Sequence, residues 1–96
     1  MAEAQVLITH DVGLHARPSV KLTKLAKGFG ARIDLALAES GPWIDAKSIV
    51  KVMATKAPKG AMLFLRADGP DADDAIAALV GLIERDFDEG GTHARA

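Results

Sequence analysis

Residues 61–67 read Ala-Met-Leu-Phe-Leu-Arg-Ala and form the most apolar strand-like stretch of the chain. Turn-forming residues bound this stretch on both sides, with Ala57-Pro58-Lys59-Gly60 before it and Gly69-Pro70 after it. A short apolar run between two turns is typical of a buried strand. We therefore expect residues 61–67 to form a strand in the centre of a sheet.

Three more strands are predicted upstream of this one. The first covers residues 4–9 and contains Val6-Leu7-Ile8. Residues 31–38 alternate in hydropathy, which is the period of a strand buried on one side. The buried face would hold Ile33, Leu35 and Leu37, and the open face Arg32, Asp34 and Ala36. Ser40-Gly41-Pro42 then breaks the chain, and residues 43–45 return as a short antiparallel strand.

The first predicted helix follows a loop over residues 12–15. Pro18 lies near its start, where the missing N–H costs no helical hydrogen bond. Because Pro18 also restrains Arg17 from a fully helical conformation, we expect the helix to begin late. We expect Gly28 and Gly30 to end it in the left-handed conformation, which needs no Cβ. Its apolar stripe consists of Leu22, Leu25, Ala26 and Phe29.

Two further helices are predicted, a short one over residues 47–54 and a long one that begins at Gly69-Pro70-Asp71. Acidic residues in the first turn of the long helix suit the positive end of its dipole. Its apolar stripe consists of Ala72, Ile76, Leu79, Val80, Ile83 and Phe87.

The order β-α-β-β-α-β-α predicts an α+β fold, an open-faced β-sandwich in which three helices cover one face of the sheet. The four strands would be mostly antiparallel, in the order 1-4-2-3. The first two strands are then parallel, with the last strand inserted between them, as in a split βαβ unit. We expect one domain over residues 1–89 and a flexible tail over residues 90–96.

Composition excludes several functional classes. The chain has 96 residues, 49% of them hydrophobic, and its 12 basic and 13 acidic residues give a formal charge of −1. This balance argues against nucleic-acid binding. The absence of Cys excludes disulfides and thiol chemistry. No phosphate-binding loop, nucleophile elbow or zinc-protease motif is present, and we expect neither cofactor nor metal. With no membrane span or secretory leader, the expected location is the cytoplasm.

The chemically informative stretch is Gly13-Leu14-His15-Ala16-Arg17-Pro18, which places an imidazole and a guanidinium at the start of a helix. The first-turn N–H groups of a helix have no intrahelical partners, and the dipole is positive there, so this end attracts anions. The dipole and Arg17 should lower the pKa of His15 and keep its ring neutral and nucleophilic near neutral pH.

The strength of such a site favours a transient phosphoryl group. A helix end contributes about 0.3 to 2 kcal/mol to a bound anion, and one charged hydrogen bond about 1.5 to 3 kcal/mol. These energies are too small to hold free phosphate well. They are sufficient to steady a phosphoryl group that is covalently attached to His15, without trapping it.

Gly13-Leu14-His15-Ala16-Arg17-Pro18 and Ala46-Lys47-Ser48-Ile49 together resemble HPr, the histidine-containing phosphocarrier of the bacterial phosphoenolpyruvate-dependent phosphotransferase system. The resemblance covers residues 4–87. It implies a non-enzymatic carrier in which Nδ1 of His15 accepts a phosphoryl group from enzyme I and passes it to an enzyme IIA-type acceptor. It also implies that Arg17 pairs with the phosphate, alongside the backbone of Ala16 and Arg17. No membrane partner is implied, and we expect a monomer.

The resemblance implies two further features around the second helix. Family members dock through an apolar patch, which corresponds here to Val20, Ile49 and Met53; the alternative is that the apolar residues of this helix are all core. Ser48 matches the family position modified by HPr kinase/phosphorylase, and a phosphate in the docking face should weaken partner binding. The alternative is an ordinary serine in a first helical turn.

Departures from the family pattern leave other hypotheses open. Val12 stands where many relatives have Asn, which removes a polar group from the loop, and Ser19 replaces a frequent Ala and is expected to face solvent. A metal site built from His10, Asp11 and His15 is a minor alternative. The main competing function is a regulatory interaction module controlled by phosphorylation of Ser48, without carrier activity.

Overall fold

The computed structural model describes residues 2–9, 16–85 and 87. Its elements follow the predicted order: β1 (Ala2–Leu7), α1 (Ala16–Lys27), β2 (Arg32–Ala36), β3 (Ile44–Asp45), α2 (Ile49–Ala54), β4 (Met62–Asp68) and α3 (Ala72–Glu84). The first strand begins two residues before its predicted start and ends at Leu7. Ile8 continues the pairing outside the strand, because its N–H donates to the Ala61 carbonyl at 2.9 Å.

The four strands form one sheet in the order β1-β4-β2-β3, which confirms the predicted topology. β4 pairs antiparallel with β1 on one side and with β2 on the other, and β2 pairs antiparallel with β3. Because β1 and β2 are both antiparallel to β4, they run parallel to each other. The apolar β4 is therefore central, as its sequence predicted.

The core lies between the sheet and the helices. Two pairs that face each other across the ladders, Val6 with Leu63 and Leu35 with Leu65, are buried. They form one cluster with helical residues that include Leu22, Ala26, Val52, Leu79 and Ile83. Ala75 and Leu82 extend the buried stripe of α3, whereas Val80 is only partly buried.

The prediction of one-sided burial for β2 was wrong for three residues. Asp34 and Ala36 are 7% and 2% exposed, whereas Leu37 is 40% exposed. Asp34 Oδ2 lies 3.3 Å from Arg32 Nε and 3.5 Å from Arg66 Nε. The Arg66 guanidinium in turn stacks at 4.1 Å over the Trp43 ring. Long side chains from neighbouring positions therefore cover the open face of the sheet at Asp34.

The predicted boundaries of α1 were also wrong in two respects. The helix begins at Ala16, so Arg17 is helical and Pro18 is the third residue. The first turn tolerates this arrangement because its N–H groups lack helical partners. Gly28 and Gly30 do not adopt positive φ. The Gly28 N–H instead donates to the Leu25 carbonyl at 3.0 Å, which tightens the last turn.

Asp71 connects the start of α3 to the turn between α1 and β2. Although it occupies the N-cap position, its carboxylate makes no capping hydrogen bond to its own helix. It accepts hydrogen bonds from the N–H groups of Gly30 and Ala31, each at 2.8 Å. Gly69 allows these two segments of the chain to approach closely. Its φ is 144°, and a Cβ at this position would lie 2.8 Å from Ala31 Cα, which is too close for any other residue.

We expect Asp71→Ala to lower the free energy of unfolding clearly more than Asp73→Ala, a change of the same kind in the exposed first turn of α3. The hydrogen bond from Gly30 is the main cause that lowers the pKa of Asp71. A lowered folded-state pKa means that Asp71 stabilises the fold fully above its unfolded pKa of about 3.9. That contribution is lost as pH falls through the folded-state pKa.

Urea unfolding of both variants and the wild type, from neutral to acidic pH, measures this effect. The difference between wild type and Asp71→Ala should be constant near neutral pH and should shrink below about pH 4. Equal stability of Asp71→Ala and Asp73→Ala near neutral pH would contradict the structural role of the Asp71 carboxylate.

Candidate functional site

The described part of the predicted phosphoryl site is the first turn of α1. His15 lies outside the described residues, as do His10, Asp11 and Val12, so the metal alternative and the effect of Val12 remain expectations. Arg17 is exposed in this turn. The first turn of α1 contains no acidic residue that could form an ion pair with Arg17 in place of an anion. The helix has 12 residues, so it presents a full set of first-turn N–H groups to an anion.

Ser19 does not face solvent, which corrects the prediction for this residue. It is fully buried, and Thr23, one turn further along α1, is only 3% exposed. Neither hydroxyl has a hydrogen-bond partner among the residues that the structure describes. A buried unpaired hydroxyl costs about 1–3 kcal/mol, so these two side chains lower the stability of the inward face of α1. The sequence carried a signal for this burial, because Ser19 lies three residues before Leu22 and seven before Ala26, on the same helical face.

Ser48 is the N-cap of α2. Its φ and ψ of −102° and 110° are extended, and its Oγ accepts a hydrogen bond from the Lys51 N–H at 3.4 Å. The residue is half-buried. The predicted position of Ser48 at a helix start is therefore confirmed, with α2 beginning two residues later than predicted.

The apolar residues of α2 divide between the core and the surface. Val52 is fully buried, whereas Val50 and Met53 are 75% and 41% exposed. Ile49 is half-buried and lines a groove of about 310 Å³ between α1 and α2, together with Val20, Thr23, Lys24 and Lys27. The alternative that all these apolar residues belong to the core is wrong, because a six-residue helix packs only one side against the sheet.

The two chain segments that form this groove are rich in basic residues. Residues 16–30 contain four basic side chains and residues 46–60 contain four more, and neither segment contains an acidic residue. In contrast, the first turn of α3 carries Asp73 and Asp74. The overall charge of −1 therefore conceals a separation of charge between helices. Sequence reasoning missed this feature by counting charges over the whole chain, although the acid-free segments are visible in the sequence.

Lys47 belongs to the second motif that resembles the family, but the sequence assigned it no role of its own. Its ammonium donates a hydrogen bond to the Phe29 carbonyl at 2.7 Å. Its backbone N–H donates to Asp45 Oδ1 at 2.9 Å. Lys47 directly precedes Ser48, so its side chain links the start of α2 to the turn that follows α1. This contact spans 18 residues of sequence, and no local sequence pattern predicts it.

Comparison with known proteins identifies the family. A family model described as the PTS HPr component phosphorylation site matches residues 2–85. The phosphocarrier protein HPr of Cupriavidus necator is 41% identical over 90 residues, which cover 94% of this chain and 99% of that protein. The chain belongs to the HPr family of phosphocarrier proteins. Its membership confirms the resemblance inferred from the two motifs, and with it the assignment to the phosphotransferase system.

Two further members of the HPr family support the assignment. The phosphocarrier protein NPr of Escherichia coli K12 is 36% identical over 84 residues, covering 88% of this chain and 92% of that protein. A crystal structure of HPr from Thermoanaerobacter tengcongensis superimposes with a TM-score of 0.86 at 36% identity, covering 93% and 98% of the two chains. Family membership therefore agrees with the observed fold.

In residues 2–9, 16–85 and 87, no helix is long and apolar enough to cross a membrane. Within the same ranges, no three His, Asp or Glu side chains come together as candidate metal ligands.

Proposed function

We propose that this protein carries a phosphoryl group on His15, taking it from phosphorylated enzyme I and passing it to an enzyme IIA-type acceptor. The observation that carries this proposal is the family match together with the start of α1 at Ala16, the residue that follows His15. A phosphoryl group on His15 would thus be one residue away from the positive end of a 12-residue helix.

The proposed chemistry consists of two transfers. In the first, the Nδ1 lone pair of His15 forms a bond to phosphorus, and the bond between phosphorus and its donor atom on enzyme I breaks. In the second, a nucleophile of the acceptor attacks phosphorus, and the P–N bond breaks with its electron pair returning to Nδ1. The protein itself is a covalent intermediate and has no turnover of its own.

Arg17 and the backbone N–H groups of Ala16 and Arg17 would stabilise the phosphoryl charge. The Arg17 side chain is exposed and lies in the first turn of α1. One hydrogen bond between charged groups contributes about 1.5 to 3 kcal/mol, which is enough to order the phosphoryl group and too little to prevent its departure.

Partner proteins would dock on the patch formed by Val20, Ile49 and Met53. Val20 and Met53 are 51% and 41% exposed, and Ile49 lines the groove between α1 and α2. Interfaces are held mainly by such apolar centres, while charges at the rim steer association. The basic residues around the groove, including Lys24 and Lys27, favour partners that present carboxylates around an apolar centre.

Phosphorylation of Ser48 by an HPr kinase/phosphorylase would regulate this surface. Ser48 precedes Ile49, so a phosphate of about −1.5 to −2 charge would be introduced beside the docking patch. It would weaken attraction to acidic partners. We further propose that the carrier acts in the cytoplasm as a monomer, with residues 1–89 as its functional domain.

Incubation with labelled phosphoenolpyruvate, Mg²⁺ and enzyme I tests the carrier function. The wild type should take up label that is lost in acid, because phosphohistidine is acid-labile, and His15→Ala should take up none. Label that survives acid, or that persists in His15→Ala, would refute the carrier function. Acid-stable label in the wild type would instead favour a regulatory module modified on serine.

Kinetics of phosphoryl transfer from enzyme I separate chemistry from docking. Arg17→Ala should lower the transfer rate at saturation roughly 10- to 100-fold, the equivalent of one charged hydrogen bond. Val20→Ser should raise KM by about tenfold through lost apolar contact. The control Leu37→Ser changes another exposed apolar residue, outside the patch, and should leave both parameters unchanged. An unchanged rate in Arg17→Ala would show that the helix end alone stabilises the phosphoryl group.

A further inference from the structure

Lys47 attaches the start of α2 to the end of α1. Its ammonium donates to the Phe29 carbonyl at 2.7 Å, two residues beyond the last residue of α1. The next residue in the chain, Ser48, is the N-cap of α2. One side chain therefore connects the predicted regulatory position to the helix that begins beside His15.

The turn that follows α1 is held from two sides. Lys47 binds the Phe29 carbonyl, and the Asp71 carboxylate binds the next two N–H groups, those of Gly30 and Ala31. The hydrogen bond from Gly30 is the main cause that lowers the pKa of Asp71, and the positive charge of Lys47 acts in the same direction. Lys47 and Asp71 therefore bind neighbouring backbone groups of the same turn.

A phosphate on Ser48 would compete for the Lys47 ammonium. The phosphate brings about −1.5 to −2 charge and three acceptor oxygens to the adjacent residue. The Lys47 ammonium and a phosphate carry opposite full charges, which attract each other in addition to forming a hydrogen bond. The Phe29 carbonyl is a neutral acceptor, so it would be the weaker of the two partners of Lys47.

We propose that Lys47 transmits phosphorylation of Ser48 to α1, by leaving the Phe29 carbonyl for the phosphate and so releasing the end of α1 from α2. This inference rests on the regulatory part of the proposed function. The groove between α1 and α2 contains Val20 and Lys27 from one helix and Ile49 from the other. Loss of the hydrogen bond between Lys47 and the Phe29 carbonyl would alter the distance between α1 and α2 at the docking surface. The phosphate would in addition change the charge of that surface.

Lys51 provides a matched control. It carries the same charge, and its backbone N–H donates to Ser48 Oγ at 3.4 Å. Its side chain is exposed and, within the part of the chain that the structure describes, makes no long-range hydrogen bond. A phosphate on Ser48 can attract Lys51 without breaking a tertiary contact, so removal of Lys51 should leave the response of α1 intact.

The test uses full-length protein with phosphoserine installed at position 48 during translation, in the wild type, Lys47→Met, Lys47→Arg and Lys51→Met. NMR would measure the ¹³C shift of the Phe29 carbonyl and the hydrogen-exchange rate of the Gly30 N–H. In the wild type and Lys51→Met, phosphorylation should raise the Gly30 exchange rate by about tenfold or more, the change expected from loss of one charged hydrogen bond. The Phe29 shift should move toward its value in unphosphorylated Lys47→Met.

Lys47→Met should not respond to phosphorylation, whereas Lys47→Arg, which keeps a charged donor, should respond as the wild type does. An unchanged Phe29 shift in the phosphorylated wild type, or an equal response in Lys47→Met, would overturn the role of Lys47. Because the phosphoserine is installed without a kinase, such a failure leaves the carrier function untouched. Loss of the carrier function would appear instead as missing acid-labile label on His15.

Discussion

The pairing of β4 with two strands at once is the interaction on which the rest of the structure depends. Because β1 and β2 are both antiparallel to β4, they run parallel to each other and cannot be joined by a tight turn. The connection between them has to cross the sheet, and α1 is that crossover. The crossover helix begins at Ala16, the residue after the one we propose as phosphoryl acceptor, and Arg17 is its second residue.

The other end of α1 depends on contacts between elements that are distant in sequence. The turn after α1 is bound by Lys47 before α2 and by Asp71 before α3, and Gly69 allows the close approach. A carrier must present the same surface to a donor and then to an acceptor, so its helices have to be held in a fixed arrangement. These hydrogen bonds come from side chains other than Val20 and Met53, which are exposed and belong to the docking patch that we propose.

The sequence predicted the fold well because the fold is encoded in local periodicity. The apolar run that contains Leu63 and Leu65 indicated a central strand, and the structure confirms that position. The errors concern residues whose surroundings come from elsewhere in the chain. Asp34 is covered by Arg66 from a neighbouring strand. Ser19 is the exception, because its spacing from Leu22 and Ala26 already places it on the inward face of α1.

The family could be predicted from the sequence, whereas the roles of the individual site residues stay predictions. The motif around His15 and Arg17 identified the family, because two separate motifs at one spacing are specific. The contact of Lys47 could not be predicted, because its partner is the backbone carbonyl of Phe29, 18 residues away. Backbone acceptors carry no sequence signal, so only a structure reveals such a contact.

The central claim is that one ring nitrogen of His15 carries the phosphoryl group, and NMR of the protein phosphorylated by enzyme I tests it most directly. Correlation of the ³¹P signal with the imidazole nitrogens should show a single phosphate, bonded to Nδ1 of His15. A phosphate on Nε2, on another residue, or on no histidine at all would contradict the account.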